Sequence, residues 1–354
     1  SSCPSSVPHG GTREAHDPAH VHAMLVWRLA ARTGARARHR PGGCGLRIGG
    51  TLGAGRRPCS GWELPEVPEA VLEATGEPVA RQLVPREAVF IDSRAAAEEV
   101  LPRLLGARVL GVDCEGVALG RWGRLCLCQV AAPGRVYLFD ALREGVLDTL
   151  RPVLSAKGII KVMHDCREDA SALFSQFDVE LAGVFDTQVA HTMLLEQRVS
   201  RPYQISLNEL LKSMLQLQNE KQVPLSKRMK DDPNMWFYRP MQQDLLSYAV
   251  QDVMYLPLLH RRMCKELGDP SGGQVLLRSQ KYSDYARMNL HIASPKAVEK
   301  RGLRLQAMLA TQTEAAWHFK LNLGASRHGA VSRPEALSRF QELQFGDIVD
   351  CWVS

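Results

Sequence analysis

Three short apolar segments that lie close together along the chain constrain its fold more than any other feature. They cover Arg108–Cys114, Arg124–Val130 and Val136–Phe139, and glycines or a Pro133-Gly134 pair separate them. Connections this short join neighbouring antiparallel strands, because parallel strands need a crossover of a dozen or more residues. The sequence therefore predicts an antiparallel meander of three strands.

Helices and strands alternate around this meander. Before it we expect a strand at Ala88–Ile91 and a helix at Arg94–Leu105, which Asp92-Ser93 would cap. After it the pattern predicts, in order, a helix at Leu142–Leu154, a buried strand at Gly158–Met163, a helix at Arg167–Phe177, a short strand around Val184-Phe185 and a mainly helical region to about Leu267. The result is an α/β fold, a mixed five- to six-stranded sheet with flanking helices.

Composition divides the chain into three parts. Residues 1–77 form a basic Gly/Arg-rich tail that we expect to be disordered, residues 78–268 carry the α/β domain, and residues 269–354 form an extension. The extension is predicted to be helical, with helices at Ala297–Phe319 and Pro334–Gln344. Its last residues alternate like a first strand, so a truncated β-domain of the S1 or OB kind could begin there.

The positive charge of the chain is concentrated in the tail. Residues 1–62 contain nine arginines, no lysine and two acids, a charge of +7, which leaves −1 of the net +6 for the rest. Any surface that binds nucleic acid must therefore come from local clustering of basic residues. Within the tail, the Arg-rich stretch from Met24 to Arg40 resembles a mitochondrial transit peptide if translation starts at Met24.

Cysteine usage and hydropathy suggest an intracellular protein, cytoplasmic or nuclear unless that transit peptide is real. The nine cysteines are scattered without a C-x-x-C pair, which is typical of buried free thiols in a reducing compartment and indicates no zinc site. No stretch approaches the roughly 18–20 apolar residues that span a bilayer. We expect no membrane span.

The first chemically informative motif ends the predicted strand Arg108–Cys114. Asp113 and Glu115 are two residues apart, so in an extended chain their side chains share one face. Two carboxylates side by side near a core repel each other and lose hydration unless a cation lies between them. Hard oxygen ligands suit Mg²⁺ or Mn²⁺. Taken alone, the pair could also be two acids that end a strand at the surface.

Two further motifs supply acids from other parts of the chain. In the segment from His164 to Asp169 a strand leads through a polar turn into a helix, and Asp169 is positioned to point back at the sheet. Tyr248 and Asp252 are four residues apart, so they lie on one face of a helix. The phenol and the carboxylate can therefore address the same site.

These five side chains together suggest catalysis with two metal ions. Two cations about 3.5–4 Å apart can flank a scissile phosphate, one orienting the attacking water and the other stabilising the leaving 3′ oxygen. We expect Asp113 to bridge both ions, Glu115 and Asp252 to complete the ion on the water side, and Asp169 to support the other. Tyr248 would orient the water, since a phenol with a pKa of about 10 is a poor base at neutral pH.

The three motifs resemble those of the DEDDy branch of 3′–5′ exonucleases, the RNase D-like group of the RNase H-like fold. The similarity runs from about Ala88 to Leu267 and also includes the segments Phe185–Thr192 and Trp236–Pro240. It implies that Asp169 rather than Asp165 is the third metal ligand. It also implies a structural role for Asp186.

Within that group the segment from Ser206 to Pro224 is similar to the Egalitarian and piRNA-biogenesis branch of exonuclease-domain proteins. Some members of this branch resemble RNA-binding adaptors that have lost catalytic acids. All four acids and the tyrosine are present here, so the sequence favours an active 3′–5′ exonuclease over such an adaptor of a ribonucleoprotein complex. A nuclease acting on DNA repair intermediates is a third interpretation.

A basic and aromatic run before the last motif is the expected nucleic-acid surface. Cations would hold phosphates and aromatic faces would stack on unpaired bases, with Lys221, Lys227, Arg228, Lys230, Trp236 and Arg239 as the contacts. A solvated basic loop with Trp236 in the core explains the run equally well. We expect single-stranded RNA or DNA as substrate, with RNA slightly preferred by family analogy, and ribonucleoprotein proteins as further partners.

Overall fold

The structure is a computed structural model that describes residues 64–76, 79–198, 202–219, 222–294, 297–298, 302–313, 316–324, 328–331 and 342–353. The disordered tail and the transit peptide predicted before residue 64 lie outside the described residues. Lys221 lies outside them as well.

A six-stranded mixed sheet forms the centre of the larger domain, as predicted. Its order is β1-β4-β3-β2-β5-β6, with β3 antiparallel to both of its neighbours, β2 and β4, and the remaining neighbouring pairs parallel. The strands are β1 (Glu87–Ile91), β2 (Val109–Val117), β3 (Arg124–Ala132), β4 (Arg135–Asp140), β5 (Ile160–Met163) and β6 (Val184–Asp186). The predicted meander is therefore β2–β4, and β2 lies inside the sheet between β3 and β5.

Eleven α-helices accompany the two sheets of the described chain. They are α1 (Glu69–Thr75), α2 (Val79–Leu83), α3 (Arg94–Leu105), α4 (Arg151–Leu154), α5 (Arg167–Phe177), α6 (Thr187–Arg198), α7 (Leu207–Leu215), α8 (Gln222–Asp231), α9 (Gln243–Met254), α10 (Leu256–Leu267) and α11 (Gly273–Asp284). Helix α3 has the predicted bounds, and the Ser93 hydroxyl accepts a hydrogen bond from the Ala96 amide at its start.

The helix expected at Leu142–Leu154 is much shorter than predicted. A 3-10 turn covers Leu147–Leu150, and α4 adds only four residues to it. The preceding residues form a turn in which the Leu142 amide donates to the Asp140 carboxylate and Gly145 has a positive φ of 74°. Those features favour a turn over continued helix.

The C-terminal extension begins with helix α11, but a sheet follows, so the prediction of a helical extension holds only for its first part and the helix predicted at Ala297–Phe319 is wrong. Four antiparallel strands are present in the order β10-β7-β8-β9, namely β7 (Arg304–Gln312), β8 (Trp317–Lys320), β9 (His328–Val331) and β10 (Ile348–Trp352). Two of them occupy the expected helix at Ala297–Phe319. Most of the other expected helix, residues 334–341, lies outside the described residues.

A period of two explains why the extension forms strands. Leu305, Ala307 and Leu309 are buried in a second hydrophobic core, while Arg304 before them and Gln306 between the first two are exposed. The expected first strand near the end of the chain is instead β10, the fourth strand of this sheet, which pairs with β7. None of the helices in the described part of the chain has the length and apolar character that crossing a bilayer requires.

One glycine sets the distance between the sheet and the helices above it. A Cβ atom added at Gly111 in β2 would lie 2.7 Å from the carbonyl oxygen of Val253 and 3.1 Å from the Leu256 Cβ. Val253 and Leu256 belong to the end of α9 and the start of α10. Only glycine therefore lets these helices approach β2 this closely.

We predict that Gly111→Ala destabilises the fold by about 1–3 kcal/mol, because the new methyl group overpacks a rigid backbone contact. Urea unfolding followed by circular dichroism would measure the change. Gly158→Ala is the matched control, since a Cβ there meets nothing within 4 Å. Equal stability of the two variants would contradict the assigned role of Gly111.

Candidate active site

The end of β2 presents the first two acids of the site. Asp113 faces Gln129 and Glu115 faces Leu127 across the β2–β3 ladder, and the register shifts after Glu115. Both acids are half-buried, whereas Val112 before them and Cys114 between them are buried. The alternation of the strand therefore projects the two carboxylates from one face, as predicted.

Helix α9 brings the third acid to the same place. Oxygen atoms of Asp113, Glu115 and Asp252 all lie within 4.8 Å of one another. Residues separated by more than a hundred positions in sequence thus form one cluster, and Asp252 lies next to Val253, whose carbonyl contacts Gly111. The close approach of α9 to β2 is what assembles this cluster.

Asp169 in the first turn of α5 completes the acidic group. It is buried, and its Oδ1 atom has no hydrogen-bond partner among the described residues. Its charge contributes to raising the pKa values of both Asp113 and Glu115, so it lies within electrostatic reach of them. The tight cluster therefore holds three of the predicted acids, and the fourth lies beside it.

Burial and mutual repulsion perturb the ionisation of the whole group. Both effects raise the pKa values of Asp113 and Glu115 well above the usual range for carboxyl groups. Burial and neighbouring acids raise the pKa of Asp169 to about 7. Burial raises that of Asp252 to about 6, although two hydrogen bonds oppose the increase. Ionising all four acids together is unfavourable without a compensating positive charge.

This donor set fits divalent metal ions. The ligands on offer are carboxylate oxygens, which hard cations such as Mg²⁺ and Mn²⁺ prefer. A cation would neutralise the repulsion that raises these pKa values, and the buried Oδ1 of Asp169 is an acceptor still lacking a partner. The residues present are therefore suited to hold metal.

Tyr248 accompanies Asp252 as the helical spacing predicted. It is half-buried one turn before Asp252, and its hydroxyl donates a hydrogen bond to that carboxylate. Burial and the nearby charges of Asp252, Glu115 and Asp113 raise the pKa of the phenol. Tyr248 therefore remains protonated and acts as a hydrogen-bond donor.

Asn219 is a site residue that the sequence did not reveal. Its side-chain amide donates to Asp252 Oδ1 at 2.6 Å and to the Tyr248 carbonyl at 3.3 Å, while its own backbone amide bonds the Asn208 side chain at 2.5 Å. It is only 3% exposed. An asparagine in a loop after α7 carries no periodic signal that would have marked it.

Asp165 and Asp186 have structural bonding instead of metal-site geometry. Asp165 pairs with the fully buried Arg167, at 2.5 and 2.8 Å, and with Lys320 at 3.4 Å. Asp186 accepts hydrogen bonds from the backbone amides of Asp165, Cys166, Gln188 and Val189. These bonds join the turn before α5 to the start of α6, and they hold Asp169 in place.

The expected nucleic-acid residues separate into two sets. Lys227 and Lys230 on α8 are exposed, while Arg228 on the same helix is engaged by Asp244 and Gln242. Trp236 is only 3% exposed, and its ring lies 6.1 Å from that of Tyr248. The expectation that Trp236 stacks on bases is therefore wrong, because its ring is in the core.

Arg239 is half-buried, and its guanidinium is occupied by contacts within the protein. Its guanidinium donates to both oxygens of the buried Asp140, at 2.8 and 2.6 Å, and to the carbonyls of Trp236, Tyr238 and Cys126. These bonds fasten the segment before α9 to the ends of β3 and β4. The exposed aromatic side chains of this region are Phe237 and Tyr238, each 52% exposed.

A sequence model described as 3′–5′ exonuclease matches residues 88–268, just over half of the chain. The chain belongs to this family. Among its relatives, human piRNA biogenesis protein EXD1 is 36% identical over 168 residues, covering 45% of this chain and 33% of that protein. The Caenorhabditis elegans Egalitarian protein homolog is 28% identical over 225 residues, covering 54% of this chain and 38% of that protein.

Solved structures show the same fold. RNase D from Trypanosoma brucei in complex with RNA U12 matches with a TM-score of 0.52 and 26% identity, covering 61% of this chain and 74% of that one. The GMP complex of the same enzyme matches with a TM-score of 0.51 and 26% identity, covering 56% of this chain and 64% of that one. The expected resemblance to RNase D-like proteins is thus confirmed. The chain spans about a third of the length of the curated relatives described above.

We predict that Asn219→Leu weakens Mn²⁺ binding roughly tenfold, because a partner that orients a metal ligand typically contributes at least that much. Leucine has the same number of side-chain heavy atoms in the same branched arrangement but cannot donate to Asp252. Isothermal titration calorimetry with Mn²⁺ would measure the affinity. The control is Asn234→Leu at an exposed position, and equal affinities in the two variants would argue against the orienting role of Asn219.

We predict that Arg239→Met destabilises the domain by about 3–5 kcal/mol, since it leaves the buried Asp140 carboxylate without its main partner. Chemical denaturation would measure this, alongside RNA affinity. Lys230→Met is the comparison, and we expect it to weaken RNA binding without changing stability. If Arg239→Met instead kept full stability and lost only RNA affinity, Arg239 would belong to the nucleic-acid surface after all.

Proposed function

We propose that this protein is a two-metal-dependent 3′–5′ exonuclease that hydrolyses phosphodiester bonds at single-stranded 3′ ends and releases nucleoside 5′-monophosphates. The observation that carries the proposal is the convergence of Asp113, Glu115 and Asp252 within 4.8 Å, with Asp169 beside them. Membership of the 3′–5′ exonuclease family supports the reaction class.

The four acids would hold two Mg²⁺ or Mn²⁺ ions, with Asp113 between them, Glu115 and Asp252 on one side and Asp169 on the other. Metal ions in such sites activate water and stabilise the leaving oxygen of an in-line displacement. Tyr248, protonated and donating its one hydroxyl proton to Asp252, would orient the attacking water by accepting a hydrogen bond from it. Asn219 keeps the Asp252 carboxylate in a fixed orientation.

Single-stranded RNA is the substrate that we favour over DNA. RNase D of Trypanosoma brucei has been solved with RNA U12 and with GMP, a nucleoside monophosphate. On this chain, the exposed Lys227 and Lys230 offer positive charge, and the exposed Phe237 and Tyr238 offer faces for base stacking. These contacts include no base-reading pattern, so we expect tolerance of sequence.

The second candidate is an RNA-binding adaptor of a ribonucleoprotein complex with a weak nuclease site. It is favoured by the similarity to a piRNA biogenesis protein and to an Egalitarian homolog. The acids favour activity over the adaptor, because all four expected positions carry a carboxylate and none carries a neutral side chain. Tight RNA binding in EDTA without trimming in Mn²⁺ would favour the adaptor.

We predict that Asp113→Asn lowers the rate of trimming at least roughly a hundredfold, because each metal contact contributes several kcal/mol to the transition state. A time course with 3′-extended, end-labelled single-stranded RNA and DNA in Mg²⁺, Mn²⁺ or EDTA would measure the rate and the strand preference. Asp148→Asn, at an exposed acid on the 3-10 turn, is the matched control. Equal trimming by the Asp113 variant and the wild type would refute the metal mechanism.

A further inference from the structure

The C-terminal part of the chain, which includes the sheet β7–β10, contacts two segments next to metal-site acids. One is the β2–β3 loop, which follows Asp113 and Glu115, and the other is the start of α5, which carries Asp169. Arg121 in the β2–β3 loop donates to the carbonyls of Asn289 and Leu290 at 2.7 and 3.0 Å, just before this sheet. Trp122 beside it packs against the hydrophobic core of the sheet. The loop that follows Asp113 and Glu115 is therefore held from the C-terminal side.

The start of α5, which carries Asp169, is held even more directly. Lys320 at the end of β8 places its Nζ atom 3.4 Å from Asp165 Oδ2 and 3.7 Å from Glu168 Oε1. One lysine of the C-terminal sheet thus bridges two acids that shortly precede Asp169 in sequence. Its side chain is only 28% exposed, so water screens the interaction incompletely.

A second path runs through Asn322. Its backbone amide donates to the Tyr285 hydroxyl at 2.8 Å, and that hydroxyl donates to Glu168 Oε1 at 3.0 Å. Its side chain is fully buried, donates to the carbonyls of Tyr285, Ala286 and Met288, and accepts from the Ser171 hydroxyl of α5 at 2.5 Å. Glu168 is therefore fixed by two groups that both depend on the C-terminal sheet.

Glu168 also lies against the β2–β3 loop, which follows Asp113 and Glu115. A Cβ atom added at Gly120 would lie 2.6 Å from Glu168 Oε2, so the backbone of the β2–β3 loop lies directly against this carboxylate. Asp165 lies in the turn before α5 and Glu168 and Asp169 lie in its first turn, and the buried Arg167 forms its ion pair with Asp165. In the described part of the chain, the ion pair of Glu168 is formed with Lys320.

We infer that the C-terminal sheet is a positioning element of the active site, and that Lys320 acts through Asp165 and Glu168 to keep Asp169 in its metal-binding place. The inference rests on the proposed metal-dependent function. Without the lysine, Asp165 keeps Arg167 but the poorly hydrated Glu168 carboxylate loses its ion pair, so its charge is left to repel the adjacent Asp169. Lys320 touches no reacting atom, so it is a positioning residue.

The test compares Lys320 with a second lysine that also joins the C-terminal sheet to the rest of the protein. Lys281 on α11 pairs with Asp347 at 2.5 Å. Loss of either ion pair removes a contact to the sheet, but only Lys320 contacts the acids beside Asp169. Lys281→Met therefore reports on docking alone. The measurements on the full chain are Mn²⁺ affinity by calorimetry, kcat and KM on single-stranded RNA, and melting temperature.

We predict that Lys320→Met weakens Mn²⁺ binding roughly tenfold, the low end for partners of metal ligands, and lowers kcat with little change in KM. Lys281→Met should change neither affinity nor kcat, although the two variants lose similar stability. Lys320→Arg should restore most of the Mn²⁺ affinity, because it keeps the charge. A Lys320→Gln variant gives the same comparison if the methionine variant proves insoluble.

Equal Mn²⁺ affinity in Lys320→Met and Lys281→Met, with wild-type binding intact, would overturn the positioning role while leaving the proposed exonuclease function in place. A wild-type chain that binds no Mn²⁺ would instead overturn the metal-dependent function and the inference built on it. The two failures are therefore distinguishable in one set of titrations.

Discussion

Repulsion among partly buried carboxylates is the interaction around which the exonuclease domain is organised. Asp113, Glu115, Asp169 and Asp252 each have a raised pKa, because each loses hydration and most of them meet the charge of another. Such a group does not assemble by itself, so the surrounding structure must hold it together until cations bind. Packing, hydrogen bonds and ion pairs on three sides of the cluster do this.

Each side is held by a different kind of interaction. On β2, the missing side chain of Gly111 lets the α9–α10 junction approach the strand. Before α9, Arg239 fastens the chain to the buried Asp140 at the end of β4. Before α5, Asp186 collects four backbone amides from two successive turns. For the metal site proposed above, these contacts act as preorganisation, because they hold the acids in place and so reduce the free energy that ordering them would cost on binding.

The parts of this arrangement that depend on local periodicity could be predicted from the sequence. Alternation along β2 placed Asp113 and Glu115 on one face, and the four-residue spacing placed Tyr248 beside Asp252. Short connections identified the β2–β4 meander, and the bounds of α3 and α5 followed from capping signals and apolar spacing. In these segments the local pattern and the tertiary environment favour the same structure.

The parts that depend on tertiary contacts could not be predicted in this way. Trp236 and Arg239 are residue types common at nucleic-acid surfaces. Only the three-dimensional fold shows that Trp236 is buried and that Arg239 is bound to Asp140. Asn219 reaches Asp252 across 33 residues. Strands β7 and β8 replace the helix expected at Ala297–Phe319. Leu305, Ala307 and Leu309 are buried at every second position, which is the period of a strand, and the second core that buries them is a tertiary feature.

That last difference matters for the site, because the C-terminal sheet lies beyond residues 88–268, which match the exonuclease family. A basic helix would have offered an independent surface, whereas the sheet extends Lys320 and Asn322 to the turn that carries Asp169. The negative charges of Asp165 and Glu168 in this region have two positive partners. Arg167, which pairs with Asp165, belongs to the family domain, and Lys320, which pairs with Glu168, lies beyond it. On the inference drawn above, the unit that positions Asp169 therefore extends past residue 268, where the match to the exonuclease family ends.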